Sequence, residues 1–168
     1  MQNTGTHFFK EKGYRIPQKP ILIADHPRNA QNIGSIIRLA ANIAAEKVLI
    51  IEENPTHKES QIKKTASSAY GKVEWLYVNQ SDLLHHIPND YTIVAIETSE
   101  SSTNVYETDL PEKIAFVVGN EVYGIAEELL KLCPLQVHIP LMGITKSLNV
   151  THALAIVLFD WVRRFHER

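Results

Sequence analysis

Three groups of polar residues in this chain have types and spacings suited to chemistry. Arg28, Gln31, Ser35, Arg38 and Asn42 recur at alternating intervals of three and four, with Asn32 beside them, so a helix would carry them as one stripe. Arg38 has no acidic residue three or four positions away in either direction, and an intrahelical ion pair does not account for its charge. Gly119, Asn120 and Glu121 directly follow the apolar run Ile114 to Val118. Gly143, Lys146, Ser147 and Asn149 occupy a loop between an apolar run ending at Pro140 and a long apolar helix. Strand, loop and helix start is the arrangement by which α/β proteins build ligand sites.

Each group also has an ordinary explanation. A polar stripe suits a solvated helix face, although Gly34 within it costs about 1 kcal/mol against alanine and marks a close approach. Glycine at 119 would let a ligand approach the backbone, but glycine turns commonly follow strands, and Glu121 near a helix N-terminus is favoured by the dipole. Ser147 and Asn149 are capping types, yet the loop is richer than a cap requires and reads as a cofactor loop. Neither a Gly-x-Gly-x-x-Gly run nor a Walker loop occurs. Cys133 lies among apolar residues and reads as core; the eight histidines form no convincing zinc spacing, and no metal is expected.

The elements that must position these groups alternate. Short apolar strands are expected at 21–24, 47–51, 73–78, 91–96, 114–118 and 136–139, and helices at 28–44, 60–69, 81–86, 125–132 and 150–165. This order predicts one α/β domain, a mostly parallel six-stranded sheet with helices on both faces. Residues 1–19 read as a short irregular arm with one helical turn at most, and 20–168 as the domain. The last helix carries one apolar stripe through Val150, Leu154, Val157 and Trp161 and a second through Ala155, Ile156 and Phe159, which predicts burial on two sides and a subunit interface.

The chain has 168 residues, 44% hydrophobic and 21% charged, in the range of ordinary globular domains. A single cysteine predicts a reducing, cytoplasmic setting, and no apolar run suggests a membrane span. The net charge of −2 excludes a generally basic coat, while Lys10, Lys12, Arg15, Lys19 and Arg28 make the first 28 residues locally basic.

In this order, Asn29 to Ala40, Val118 to Gly124, and Ile139-Pro140 through Ser147-Leu148-Asn149-Val150 resemble motifs 1, 2 and 3 of the SpoU/TrmH family of RNA 2′-O-ribose methyltransferases, within the SPOUT superfamily. The resemblance runs from Ile21 to Phe165. It implies a C-terminal trefoil knot, S-adenosylmethionine as cofactor, tRNA or rRNA as partner, and a homodimer through the helices at 28–44 and 150–165. It places the cofactor on Ile96, Thr98, Gly119, Ile139, Ser147 and Leu148, and the catalytic roles on Arg38, Asn32, Glu121, Ser147 and Asn149. Guanidinium stays protonated, so Arg38 is expected to clamp a phosphate and stabilise a developing alkoxide. Thr151 and His152 depart from the small or apolar residues usual after the motif 3 asparagine. The alternative carried with this reading is a non-catalytic RNA-binding protein that keeps the fold.

Overall fold

The structure is a computed structural model that describes residues 15–166. The expected helical turn of the arm, with Lys10 and Lys12, lies outside the described residues. Strands β1 (Ile21–Asp25), β2 (Lys47–Ile51), β3 (Glu74–Val78), β4 (Thr92–Ile96), β5 (Thr103–Asn104), β6 (Ile114–Val118) and β7 (Leu135–His138) alternate with helices α1 (Ala30–Asn42), α2 (Glu59–Ala66), α3 (Glu127–Leu130) and α4 (Val150–Phe165). They form one sheet in the order β3-β2-β1-β6-β4-β7-β5, and the pairings between these strands are all parallel.

The six expected strands are present, and the count of six is corrected to seven. The addition, β5, is two polar residues that pair with His138 and Val137 at the sheet edge, too short to show a hydrophobic period. Among the helices, α4 has the expected bounds, α3 shrinks to one turn before Cys133-Pro134, and 80–86 is a 3-10 helix.

Alternation along the strands divides the core. Leu22 and Ala24 of β1 face a layer built from α1, α2 and α4, whereas Ile21 and Ile23 face α3 and the 3-10 helix. Both sets are buried, which explains why the strands read as continuous apolar runs. Cys133 belongs to the second layer; burial, with the charge of Asp25, pushes its thiol up to about 12, so it stays an inert core group.

Two contacts fix the helices that matter for the site. A Cβ on Gly34 would stand 2.7 Å from Ile62 O and 2.7 Å from Thr65 Cβ, so the close approach signalled by this glycine is α2 against α1. At the C-terminal end of α4, Asp160 accepts from Arg163 Nη2 at 2.8 Å and Arg164 Nε at 2.9 Å. Arg164 also donates to Val105 O at 2.7 Å, and buried Trp161 donates through Nε1 to Pro111 O at 2.8 Å. Burial alone would raise the Asp160 carboxyl, but the two arginine bonds outweigh it and hold it below the usual carboxylate range.

Gly34→Ala should lower the unfolding free energy by about 1–3 kcal/mol, read by urea denaturation, because the α1–α2 contact must open. Asp160→Asn should cost about 2 kcal/mol at pH 7. Since the folded pKa lies below the unfolded one, that stability is present above about pH 4 and is lost as pH falls through the folded value. The gap between wild type and variant should therefore close in denaturation curves taken near pH 3.

Candidate functional site

The C-terminal ends of β4, β6 and β7 meet the loop before α4 around a cavity of about 520 Å³. Its walls include Ile96, Thr98, Gly119, Ile139, Ser147 and Leu148, brought together from three strand ends and one loop. Glu121 and Asn149 also line it. Parallel strands make this convergence possible, because every strand then delivers its following loop to the same edge.

Glu121 lines the exposed side of the cavity. Its carboxylate accepts from the backbone N–H of Arg28 at 2.8 Å, from Asn29 Nδ2 at 3.2 Å, and from Asn32 Nδ2. The same Asn29 caps α1 by accepting from Asn32 N at 2.9 Å. Glu121 thus sits at a helix N-terminus, as the ordinary explanation holds, but the helix is α1, reached across the sheet, and not the following α3. Asn32 is 7% exposed, and its amide is committed to this contact. Asn149 is the N-cap of α4, its Oδ1 accepting from Thr151 N at 2.9 Å and from Thr151 Oγ1 at 2.6 Å. Thr151, the departure from the family pattern, thereby orients the asparagine. Ser147 is exposed in the loop.

Arg38 stands apart. It is exposed, has no partner among the described residues, and does not line the cavity. Six positions separate it from Asn32, about 9 Å along α1 and about 120° around it. One chain therefore gathers Glu121, Ser147 and Asn149 at the cavity, holds Asn32 behind Glu121 and outside the lining, and leaves Arg38 apart.

The glycine turn after β6 is tight for an internal reason. A Cβ on Gly119 would stand 2.3 Å from Gly124 C, and Gly124, at φ +71°, leaves room for Glu97, whose Oε2 would be 2.6 Å from an added Cβ. Glu97 accepts from Ile125 N at 3.0 Å and Thr98 N at 2.9 Å, so one carboxylate joins the β4 and β6 loops. Buried Asp25 accepts from Ala126 N at 2.7 Å and does the same for β1.

Sequence reasoning missed Glu97 and His138, both lining residues. Each had a signal, a polar group at the last position of an apolar strand or just beyond it. Ser102 Oγ lies 2.8 Å from Ser99 O, accepts from Ser99 N at 3.1 Å and is 2.9 Å from His138 Nδ1, a set of contacts that orients the His138 ring at the cavity wall. Among the described residues the lining contains Glu97 and Glu121 and no lysine or arginine, which suits a ligand with positive charge.

A parallel α/β sheet with an acidic-edged cavity at the C-terminal ends of its central strands, bordered by the start of α4, places this chain among the α/β domains that set ligand sites at strand ends. Residues 19–159 match the SpoU rRNA Methylase family, and the chain belongs to it. It is 27% identical over 153 residues to the tRNA (guanosine(18)-2′-O)-methyltransferase of Aquifex aeolicus, covering 88% of this chain and 71% of that enzyme. It is 29% identical over 159 residues to the 23S rRNA (guanosine-2′-O-)-methyltransferase RlmB of Blochmanniella floridana, covering 94% of this chain and 62% of that enzyme. The AdoMet-bound rRNA methyltransferase of Sinorhizobium meliloti has the same fold, with a TM-score of 0.78 at 21% identity over 89% of this chain and 57% of its own. The chain thus spans roughly three fifths to seven tenths of these proteins.

Glu97→Ala should leave the Ile125 amide unpaired, speed hydrogen exchange across residues 119–126 and lower stability by about 1–2 kcal/mol. Glu97→Gln, which keeps one acceptor, should show a smaller change in both measurements.

Proposed function

We propose that this chain transfers a methyl group from S-adenosylmethionine to a ribose 2′-hydroxyl of tRNA or rRNA. The observation that carries the reading is the cavity itself, which collects all six positions expected to hold the cofactor and sets Glu121 and Asn149 beside them. Its volume lies within the roughly 300–1,000 Å³ typical of small-molecule sites. Apolar Ile96, Val118, Ile139 and Leu148 suit the adenosyl group, and the carboxylates suit a cationic ligand. The names of the two curated relatives and the bound AdoMet of the structural neighbour point the same way.

When bound, S-adenosylmethionine supplies a methyl on a positively charged sulfur, open to in-line attack. The residues of this chain then have distinct tasks. Ile96, Thr98, Gly119, Ile139, Ser147 and Leu148 hold the donor. Glu121, with Asn32, keeps the β6 loop against α1 so that the open end of the cavity keeps its shape. Ser147 and Asn149 orient the incoming ribose. Arg38 clamps the neighbouring phosphate and stabilises the oxygen while the hydroxyl proton passes to solvent water; the O–CH3 bond forms as the S–CH3 bond breaks and the sulfur would leave as a neutral thioether.

Arg38 does this in a two-fold dimer, where the α1 of one subunit stands over the cavity of the other. Ile156 (37% exposed) and Phe159 (48%) on α4, and Met142 and Ile144 in the loop before it, supply an uncovered apolar surface that supports such an interface. Residues 20–168 form the catalytic unit, preceded by the arm of residues 1–19, and the chain closes the knot implied by its motifs. Support for the knot is that Ser147 and Leu148 lie against the loops after β4 and β6. Among the described residues no helix is long and apolar enough to cross a membrane. The cytoplasm, where tRNA and rRNA are matured, is the compartment this reading requires.

Mass spectrometry of nucleosides in total tRNA and rRNA, from cells with and without this protein, should show the loss of one 2′-O-methylated species; an unchanged set would leave a non-catalytic RNA-binding protein. Arg38→Ala should lower kcat by about 10²–10³-fold while affinity for S-adenosylmethionine, measured by calorimetry, stays within a few-fold. Loss of both together would make Arg38 a structural residue.

A further inference from the structure

The cavity accounts for a nucleoside and a methyl donor, but an RNA of any length must run on across the protein surface. That surface has to be cationic, and the chain as a whole has a net charge of −2. The cations must therefore be concentrated somewhere. The segment from His57 to Val73 contains Lys58, Lys63, Lys64 and Lys72 and a single acid, Glu59. All four lysines are exposed or at the exposed start of α2, and none is in an ion pair among the described residues. Lys113 and Lys131, by contrast, sit on Asp90 and Glu127. Glu59 is occupied by the Tyr70 hydroxyl, which donates to it, and the next acid, Glu74, lies opposite Lys47 in the sheet.

The segment is held in a defined shape. Lys63 Nζ stands 5.7 Å over the Tyr70 ring, Tyr70 is 6.1 Å from Trp75, and Trp75 is 5.7 Å from Tyr77 in an edge-on contact. These rings are half-buried against the core layer under α1 and α2, so the lysines project from a rigid base. Gly34 marks where α1 touches α2, and Arg38 follows Gly34 by one helical turn, about 40° around α1. Arg38 therefore lies on the side of α1 that borders α2, the helix whose outer faces carry Lys63 and Lys64. Neither Arg38 nor any of these lysines is in an ion pair among the described residues.

We propose that Lys63, Lys64 and Lys72, continuing from Arg38, form a track for the phosphate backbone of the RNA substrate, leading it from the methylation site across α2 to the β3 edge. This rests on the reading of RNA as the partner. The track supplies affinity without base recognition, because ammonium groups act on phosphates as point charges. It also places RNA binding within the catalytic domain itself.

The test is binding of unfractionated tRNA to the full chain, by filter binding between 50 and 300 mM KCl, for wild type and for the variant Lys63→Gln/Lys64→Gln/Lys72→Gln. Each phosphate contact contributes about 0.7–0.9 to the slope of log affinity against log salt, so the variant's slope should fall in magnitude by about 2–3. Affinity at 50 mM KCl should drop at least tenfold, while the melting temperature and the calorimetric affinity for S-adenosylmethionine stay at wild-type values. Trp161 is fully buried, so Trp75 should report tRNA binding by fluorescence, and Trp75→Phe should remove the signal. An unchanged salt slope overturns the track. So does a wild type that binds phosphatidylserine vesicles through these lysines and leaves tRNA free. Methyl transfer with an unaltered slope would sink the track alone; lysine-dependent tRNA binding with no transfer to any RNA would sink the methyltransferase reading alone.

Discussion

The contact on which the site depends is the Glu121 carboxylate at the start of α1. It accepts from one backbone N–H and two asparagine amides, all belonging to the first turn or the residues before it. These donors surround the N-terminus of α1, where the dipole favours a negative charge, while the free backbone N–H of Asn32 is capped by Asn29. A carboxylate carried on the β6 loop reaches that point from more than ninety residues away in sequence. The consequence runs in both directions. The start of α1 gains a favourable charge and a fixed Asn29 and Asn32, and the β6 loop gains a fixed position, which the cavity requires. Glu121 and Asn32 are therefore better understood as a frame for the site than as an acid and an amide free to react.

Around this frame the remaining loops are joined by the same device. Glu97 receives the Ile125 amide and Asp25 receives the Ala126 amide, so the strand ends of β4 and β1 both hold the segment that follows Gly124. Carboxylates at strand ends bind loop amides more strongly than neutral acceptors do, and they leave the cavity edge negative. A cationic methyl donor and a polyanionic RNA then want different surfaces. The cavity has the acidic edge that suits the first, and α1 and α2 have the exposed cations that suit the second.

Much of the site was readable in order along the chain. The polar stripe of α1, the glycine turn after β6 and the loop before α4 were marked by residue type and spacing, and the cavity collects positions from the second and third of them. Other features were not readable. Gly34 signalled a close approach without saying of what, and the answer is the backbone of α2. Glu97 and His138 look like ordinary residues ending apolar strands; their roles come from Gly124 and Ser102, which are neighbours only after folding. Strand β5 has no apolar period at all, because two edge residues need only backbone pairing to β7.

The sequence by itself determined the class of the fold and marked the loops that come to line the cavity. Continuous apolar strands separated by helices require a sheet covered on both faces, and capping residues beside glycine turns mark where its loops begin. Tertiary structure alone decided which polar groups are spent on holding the site and which are free to act. Asn32, Glu121 and Asn149 are largely committed to helix starts, whereas Arg38 is left uncommitted on the surface, outside the cavity of its own chain. The physical reason is that hydrogen bonding to charge is a matter of distance and direction, and parallel strands bring together groups that composition and periodicity treat as unrelated.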